Sequence, residues 1–401
     1  MAGDREKGAK VERVEKAEKA VISRRRLLKL AAYSVPAASV LNVARATRVL
    51  AQTPHRPWGW MQLPPWVTPV SPEARAEGAM GGLMLFGGEG SLLGDLWEAH
   101  PCPMAWLPPV GSGSGPSPRS RHAMAELGWN CGWQWLGERY LLFGGYGETD
   151  FLGDTWLLEP DGSGLLSWRQ VVGSPSPPAR ADHALVSLCW FDGTTWRSEA
   201  LLFGGQNSDG FLGDTWIFDL SSETWIQLSP DPAPGPRAGH TLGGTQWTSE
   251  AIYLFWGEAA DGLRGDTWRF DGGSRTWTPL ELSGGPSPRR DHAVSAGWAP
   301  PELGWGEAMC LFGGRDASGV LGDTWLFEPS GSVWMELSLS PAPEARAGHV
   351  MSSRSACWCW GGPEVGPPTE GCCGPLLFGG ENANGEKLGD TWILCLGPMP
   401  S

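Results

Sequence analysis

The chain of 401 residues combines 58 glycines and 35 prolines with 25 tryptophans. Disordered chains are poor in aromatic residues, so this composition is typical of many short strands joined by tight turns. No run of 18 apolar residues follows the N-terminal segment, which excludes a multi-span membrane protein. Residues 1–46 carry 11 basic and 5 acidic side chains, so the overall charge of −14 leaves −20 on the rest. A body this acidic repels phosphate backbones and anionic lipids, which argues against nucleic-acid and membrane partners.

Residues 1–46 have the layout of an export signal. Arg24 and Arg25 precede Leu27-Leu28-Lys29, and a weakly apolar stretch then leads to Ala44-Arg45-Ala46, a small-x-small cleavage pattern. The segment resembles a bacterial twin-arginine signal peptide. An ordinary secretory signal and a retained basic amphipathic helix are the alternatives. We therefore expect export by a bacterial cell, to the periplasm or the medium, with residues 47–57 as a short linker.

The remainder of the chain is an internal repeat. Leu-Phe-Gly-Gly occurs five times, and Leu254-Phe255-Trp256-Gly257 is a degenerate sixth copy. Each copy is followed by Gly-Asp-x-Trp, and the first five copies are then followed by a second Trp and by Arg-x-x-His. Successive copies of the Phe are 57, 60, 52, 57 and 66 residues apart. This period, the double glycine and the paired tryptophans resemble the kelch repeat, and the resemblance covers residues 58–396.

The resemblance implies an all-β, six-bladed kelch-type β-propeller with four antiparallel strands in each blade. The sixth repeat ends after its third strand, and only residues 397–401 remain as a tail. Its fourth strand has a counterpart at the other end of the chain, because Trp60-Met61-Gln62-Leu63 resembles Trp334-Met335-Glu336-Leu337. Residues 58–64 are therefore predicted to be the outer strand of the last blade, which closes the ring without a free edge.

Residues that recur in every repeat favour a structural role over a catalytic one. The Arg-x-x-His pairs recur five times and the Gly-Asp aspartate six times. Zinc needs its nitrogen ligands at about 2.0–2.1 Å from one point, and residues on separate blades rarely converge so closely. We expect the aspartates to accept hydrogen bonds from turn amides or from the repeat arginines. No metal centre and no cofactor is predicted.

The nine cysteines fall into two groups. Five are scattered and are predicted to be buried small apolar residues: Cys102, Cys131, Cys189, Cys310 and Cys395. The other four lie together in an insertion of the last repeat: Cys357, Cys359, Cys372 and Cys373. A disulfide across a hairpin is the leading interpretation of this insertion, and a four-cysteine zinc site is the alternative.

The candidate binding surface is the propeller mouth, where kelch-type propellers commonly bind partners. The loops between the second and third strands of each blade supply polar residues there: Tyr146, Glu148, Asp150, Asn207, Asp209, Glu258, Asp261, Arg315 and Asp316. Blade 4 departs from the repeat, since Trp256 replaces a glycine and Arg264 replaces a leucine. These residues are predicted to offer a ligand a stacking plane and a bidentate donor, so that restoring the consensus costs little stability. Alternatively, Trp256 covers its own blade and Arg264 pairs with a neighbouring acid.

The export signal and the family resemblance together imply a secreted, non-catalytic binding module that recognises a glycan or an extracytoplasmic protein. The alternative is a carbohydrate-active enzyme on the same scaffold, similar to the periplasmic sialic-acid mutarotase. Galactose oxidase chemistry is disfavoured, because it needs two copper-ligating tyrosines and only Tyr146 of the four tyrosines lies in a loop. Fold alone does not decide between these functions.

Overall fold

The computed structural model describes residues 59–63, 71–90, 92–101, 104–108, 114–128, 138–173, 175–245, 251–282, 284–298, 307–352, 356–358 and 372–395. Across these ranges the regular secondary structure is β throughout, in thirty strands. None of the described segments is a helix long and apolar enough to cross a membrane.

Six four-stranded antiparallel sheets form the blades of a propeller. The first described strand, β1 (Gly59–Gln62), belongs to the last blade. Blade 1 comprises β2 (Ala79–Gly81), β3 (Met84–Gly88), β4 (Leu93–Pro101) and β5 (Met104–Leu107). Blade 2 comprises β6 (Ala123–Leu127), β7 (Arg139–Tyr146), β8 (Phe151–Pro160) and β9 (Leu166–Val171).

Blades 3 and 4 each carry a small extra hairpin in the loop between their second and third strands. Blade 3 comprises β10 (Ala184–Phe191), β11 (Trp196–Phe203), β14 (Thr215–Asp219) and β15 (Thr224–Leu228), with the hairpin β12 (Gln206–Asn207) and β13 (Gly210–Phe211). Blade 4 comprises β16 (Thr241–Gly244), β17 (Ala251–Phe255), β20 (Thr267–Asp271) and β21 (Thr276–Leu280), with the hairpin β18 (Glu258–Ala259) and β19 (Gly262–Leu263).

Blade 6 joins the two ends of the propeller. Blade 5 comprises β22 (Ala293–Trp298), β23 (Glu307–Asp316), β24 (Gly319–Glu328) and β25 (Val333–Leu337). Blade 6 has the order β26 (Val350–Met351), β29 (Leu376–Phe378), β30 (Thr391–Cys395) and β1, with a separate hairpin of β27 (Ala356–Trp358) and β28 (Cys372–Gly374). Trp60 of β1 lies opposite Leu394 of β30, so the predicted closure through residues 58–64 is confirmed.

The second strand of each blade is buried on both faces. In blade 2 the residues Leu141, Leu142 and Phe143 are fully buried, because neighbouring blades cover both sides of the sheet. Such strands read as continuous apolar runs instead of alternating ones. The run ends at Gly144, whose φ of +62° lies in the left-handed region that glycine adopts without steric cost.

The tryptophans on the outer strands connect adjacent blades. Four of the six indole nitrogens donate a hydrogen bond to a threonine on the third strand of the preceding blade: Trp60 to Thr324, Trp106 to Thr391, Trp225 to Thr155 and Trp277 to Thr215. The same rings pack edge-on against buried phenylalanines, as Trp277 does on Phe203 at 5.5 Å between centroids. These contacts place the rings between blades, as the repeat predicts, and supply the packing that a single blade lacks.

A buried arginine near the start of every blade binds the repeat aspartate. The Arg180 guanidinium donates to both carboxylate oxygens of Asp214 at 2.6 and 2.7 Å and to the carbonyls of Gly204 and Pro178. The same arrangement occurs six times: Arg75–Asp95, Arg119–Asp154, Arg180–Asp214, Arg237–Asp266, Arg289–Asp323 and Arg346–Asp390. The prediction that the repeat aspartates accept from the repeat arginines is confirmed.

The cysteines differ from the sequence prediction at two positions. Cys310 is free and fully buried, as predicted, and burial raises the pKa of its thiol. Cys189 and Cys395, in contrast, are each disulfide-bonded. The prediction that these two are buried small apolar residues is wrong, because each takes part in a disulfide. In the insertion, Cys357 lies opposite Cys373 and Trp358 opposite Cys372 in the expected hairpin, while Cys359 lies outside the described residues.

Candidate functional site at the propeller mouth

Six backbone hydrogen bonds form a closed ring at the mouth. The second residue after each repeat arginine donates its N–H to the carbonyl of the equivalent residue in the preceding blade, at 2.7–3.0 Å. The six members, which we call the axial ring, are Glu77, Arg121, Asp182, Gly239, Asp291 and Gly348. Each has a φ between +55° and +64°. Glycine suits this conformation, so the side chains at the other four positions are held in strained backbone.

The two glycines of the axial ring make room for carboxylates. A Cβ on Gly239 would meet Oδ1 of Asp291 at 2.7 Å, and a Cβ on Gly348 would meet Oε1 of Glu77 at 3.1 Å. Each carboxylate therefore leans over the glycine of the preceding blade. The Arg121 guanidinium lies 3.5 Å from Glu77 and 3.6 Å from Asp182. The four side chains border a cavity of about 120 Å³ at the centre of the mouth.

Burial and mutual repulsion disfavour the charged forms of these acids. Burial, together with the neighbouring Asp291 and Asp182 carboxylates, raises the pKa of Glu77 to about 8. Burial also raises the pKa of Asp291 to about 6, although the Arg290 guanidinium 3.4 Å away opposes the shift. The pKa of Asp182 is raised by burial too, against the effect of Arg121. A titratable group with a pKa near neutrality in a cleft is a recognised sign of a functional site.

A second ring of residues surrounds the first. The residue after each double glycine pairs its backbone with the turn before the axial ring, as Tyr146 does with Ser120 and Glu258 with Ala238. The members of this outer ring are Glu89, Tyr146, Gln206, Glu258, Arg315 and Glu381. Charged contacts link the two rings and their neighbours, such as Glu258 with Arg290 at 3.3 Å and Gln206 with Asp182 at 2.6 Å. The mouth thus has two concentric layers of polar side chains.

The loop residues predicted from the sequence lie on this face, but only some belong to the outer ring. Tyr146, Glu258 and Arg315 are outer-ring members, and Arg315 lies 3.5 Å from Glu381. The others are in the loops beyond: Glu148, Asp150, Asn207, Asp209, Asp261 and Asp316. Asn207 and Asp316 accept backbone hydrogen bonds from Asp209 and Ser318, so they shape their own turns.

In blade 4 the structure agrees with the alternative interpretation, in which Trp256 is covered by protein and Arg264 pairs with an acid. Trp256 is only 3% exposed and stacks on Trp334 of blade 5 at 5.4 Å, so its faces are covered by protein. The Arg289 guanidinium lies 5.8 Å from the same ring. Arg264 pairs with Asp261 at 2.8 Å. The expectation that Trp256 offers a ligand a stacking plane is therefore corrected: the indole fills the contact between two blades.

The repeat histidines lie beneath the axial ring. His122, His183 and His349 border the same central cavity and are 5–6% exposed. Each ring hydrogen-bonds to the backbone of a buried phenylalanine, Phe86, Phe143 or Phe312, while Nδ1 has no partner. Burial lowers the pKa of His122 and His349 to about 3, with the adjacent repeat arginines acting in the same direction. These imidazoles are therefore neutral at physiological pH. No group of three or more His, Cys, Asp or Glu side chains in the described ranges is arranged to hold a metal ion.

The axial ring was missed at the sequence level, although the signal was present. The constant residues of the motif are the arginine and the histidine, whereas the ring occupies the variable position two residues after the arginine. That position is glycine in two repeats and charged in four. A position that alternates between glycine and charged residues indicates a left-handed backbone with side chains placed there for another reason.

Fold and site together define a six-bladed kelch-type propeller with a polar, ring-lined mouth. The KLHDC2/KLHL20/DRC7 Kelch-repeats domain matches residues 176–362. Relatives include the dynein alpha chain of the flagellar outer arm from Chlamydomonas reinhardtii, 28% identical over 57% of this chain and 5% of its own. Adagio-like protein 3 from Oryza sativa subsp. japonica is 28% identical over 65% of this chain and 48% of its own. The F-box/kelch-repeat protein At1g51550 from Arabidopsis thaliana is 28% identical over 72% of this chain and 57% of its own.

The matched domain and the Arabidopsis relative are both kelch-repeat sequences, in agreement with the six-bladed propeller of this chain. The chain spans between 5% and 57% of the length of the three relatives described.

Proposed function

We propose that this chain is a non-catalytic binding module that holds a protein partner through the mouth of its propeller. The observation that carries the proposal is the axial ring. Four of its six positions hold charged side chains in a backbone conformation that favours glycine, and burial shifts the pKa values of its carboxylates upward. Strain and desolvation of this kind lower stability, so their concentration at one face favours a role in binding.

Protein recognition accounts for the mouth better than glycan stacking. Sugars stack on exposed aromatic faces, and Trp256, the aromatic residue predicted to provide one, is buried. The outer ring instead offers side chains of both signs, including Glu89, Arg315 and Glu381. Such a pattern suits a partner surface with complementary charges, because like charges placed opposite each other penalise wrong partners.

Site-specific photo-crosslinking tests the proposal. A benzophenone amino acid placed at Glu148 reports on the mouth, and one at Phe191, which is 47% exposed on a hairpin at the opposite face, is the matched control. We expect a discrete crosslinked protein from position 148 in cells of the native host, and its loss when Arg315 is changed to Glu. Crosslinks that form only from position 191 would show that the binding site lies on the opposite face instead.

Export is a separate proposal and rests on residues 1–46. Arg24 and Arg25 followed by Leu27-Leu28-Lys29 support a twin-arginine route, on which the propeller folds before it crosses the membrane. Changing both arginines to lysine should then retain folded protein in the cytoplasm. Export of the double variant at the wild-type level would refute this route.

A further inference from the structure

Three cysteines differ in both exposure and oxidation state. Cys310 is free and fully buried within β23, and burial raises the pKa of its thiol. Cys189 on β10 and Cys395 at the end of β30 are disulfide-bonded and partly exposed. A buried thiol with a raised pKa is inert, whereas a disulfide near the surface is open to attack by a thiolate. Of these three, Cys189 and Cys395 are therefore accessible to redox chemistry.

The backbone of blade 6 brings a further strand up to Cys395. Strand β29 pairs with β30, and the N–H of Leu394 donates to the carbonyl of Pro375 at 3.0 Å. Continued by one residue, this antiparallel register brings Gly374, the last residue of β28, opposite Cys395. A Cβ on Gly374 would lie 1.6 Å from the carbonyl oxygen of Leu394, so the two backbones are in direct contact. Strand β28 therefore ends beside Cys395.

Strand β28 carries two adjacent cysteines. Cys372 and Cys373 directly precede Gly374 in the sequence. Neighbouring strands lie about 4.7–4.9 Å apart and rise about 3.3 Å per residue, so a residue one position from a direct partner is about 6 Å away. A disulfide needs Cα atoms about 4.4–6.8 Å apart. The backbone thus places a pair of cysteines where one of them can bond to Cys395.

We propose that Cys395 is disulfide-bonded to a cysteine of β28 and that this bond is an exchangeable clasp at the closure of the ring. The other β28 cysteine, as a thiolate, attacks Sγ of Cys395. A new S–S bond forms, the old one breaks, and the displaced cysteine leaves as a thiolate, so no electrons are gained or lost. Opening the clasp needs a dithiol from solution, which is oxidised to its disulfide as two electrons and two protons pass to Cys395 and its partner.

The clasp acts on the strand that closes the propeller. β1 pairs with β30 over four residues, and Gly59 at its start lies directly opposite Cys395. Beyond the other end of β1, the N–H of Leu63 donates to the carbonyl of Thr391 at 2.8 Å. A bond from Cys395 to β28 holds the end of β30 in place for β1. Reduction frees that end, so β1 opens from the Gly59 side while the contact at Leu63 remains.

Peptide mapping of the full chain without reductant tests the pairing, after free thiols are blocked with N-ethylmaleimide. In Cys372→Ser and in Cys373→Ser, Cys395 should remain in a disulfide with the β28 cysteine that is left. The double variant Cys372→Ser/Cys373→Ser should leave Cys395 as a free thiol. A disulfide at Cys395 that persists in the double variant would overturn the pairing. A free Cys395 in either single variant would overturn the exchange.

Hydrogen exchange of the full chain tests the effect on closure. Dithiothreitol should make the backbone amides of β1 exchange about tenfold faster, because reduction favours local opening of this strand. Cys395→Ser should reproduce the increase without dithiothreitol, and dithiothreitol should then add nothing. Cys189→Ser removes a disulfide from blade 3 and is the matched control, so it should leave β1 unchanged. Equal protection of β1 in the oxidised and reduced chains, or an equal effect of the control variant, would overturn the clasp.

Discussion

The buried arginine of each repeat and the axial ring lie two residues apart in the same motif, yet they behave in opposite ways. The arginine is present in all six blades and makes the same contacts with an aspartate and with backbone carbonyls each time. The axial position keeps the same backbone in all six blades but carries four charged residues and two glycines. The residues that recur in every blade therefore determine the architecture, whereas the side chains that differ between blades determine the chemistry of the mouth.

The largest expected difference between the two regions comes from one matched pair of substitutions. Arg180→Lys replaces a fully buried fork with a point charge that cannot bond both Asp214 oxygens and the Gly204 carbonyl. We expect it to lower the free energy of unfolding by about 3 kcal/mol. Arg121→Lys, at a side chain 38% exposed, should change it by less than about 1 kcal/mol. Urea denaturation measures both, and similar losses would contradict the distinction.

Replacing Trp256 tests whether this departure from the repeat contributes to stability. Trp256→Gly relieves a φ of +52° but removes the stacking on Trp334 and on Phe255. The loss of packing should outweigh the relief, with a net destabilisation of about 3 kcal/mol. This reverses the sequence-based expectation of little cost. Arg264→Leu is the comparison, since its exposed pair with Asp261 should contribute less than about 1 kcal/mol. Equal melting temperatures for wild type and Trp256→Gly would refute the structural role.

Low pH and high pH affect the stability of the protein through different residues, the repeat histidines and Glu77. Below its ordinary pKa of 6.5 each repeat histidine is protonated in the unfolded chain but stays neutral in the fold, so stability falls as the pH drops. Glu77 has the opposite sign: its raised pKa favours the protonated fold, so its contribution is lost as the pH rises through about 8. Stability should therefore be highest between about pH 6 and 8. Melting curves from pH 4 to 9 check this, and His183→Gln should flatten the acid limb alone.

The smallest effect on stability is expected when a charged axial residue is replaced by glycine. Glu77→Gly gives the axial position the residue found in blades 4 and 6, and removes both a strained backbone and a desolvated carboxyl group. We expect stability at pH 7 to rise by about 1 kcal/mol. Urea denaturation at pH 7 measures this change. A loss of stability would show that Glu77 holds the ring together.

The sequence predicted the ring of blades because each blade repeats the same local solution. Leu-Phe-Gly-Gly, the paired tryptophans and the copy of the outer strand at Trp60 gave the blade count and the closure. Those features depend on residues that contact neighbours at a fixed spacing along the chain.

The centre of the mouth was not predictable in the same way. Glu77, Asp182 and Asp291 are more than 100 residues apart from one another in sequence and meet only because the propeller closes. Trp256 was misjudged for a related reason. Its burial depends on Trp334 of the next blade, which no local pattern around residue 256 indicates.

The closed ring of backbone hydrogen bonds also determines what kind of field the mouth can have. All six N–H groups point the same way around the axis, each toward the preceding blade. Peptide dipoles arranged in a circle cancel as vectors, unlike those of a helix, which add along its axis. These six peptide groups therefore contribute almost no dipole along the axis. The potential at the mouth is determined mainly by the charged side chains of the axial and outer rings, which can change without changing the backbone ring.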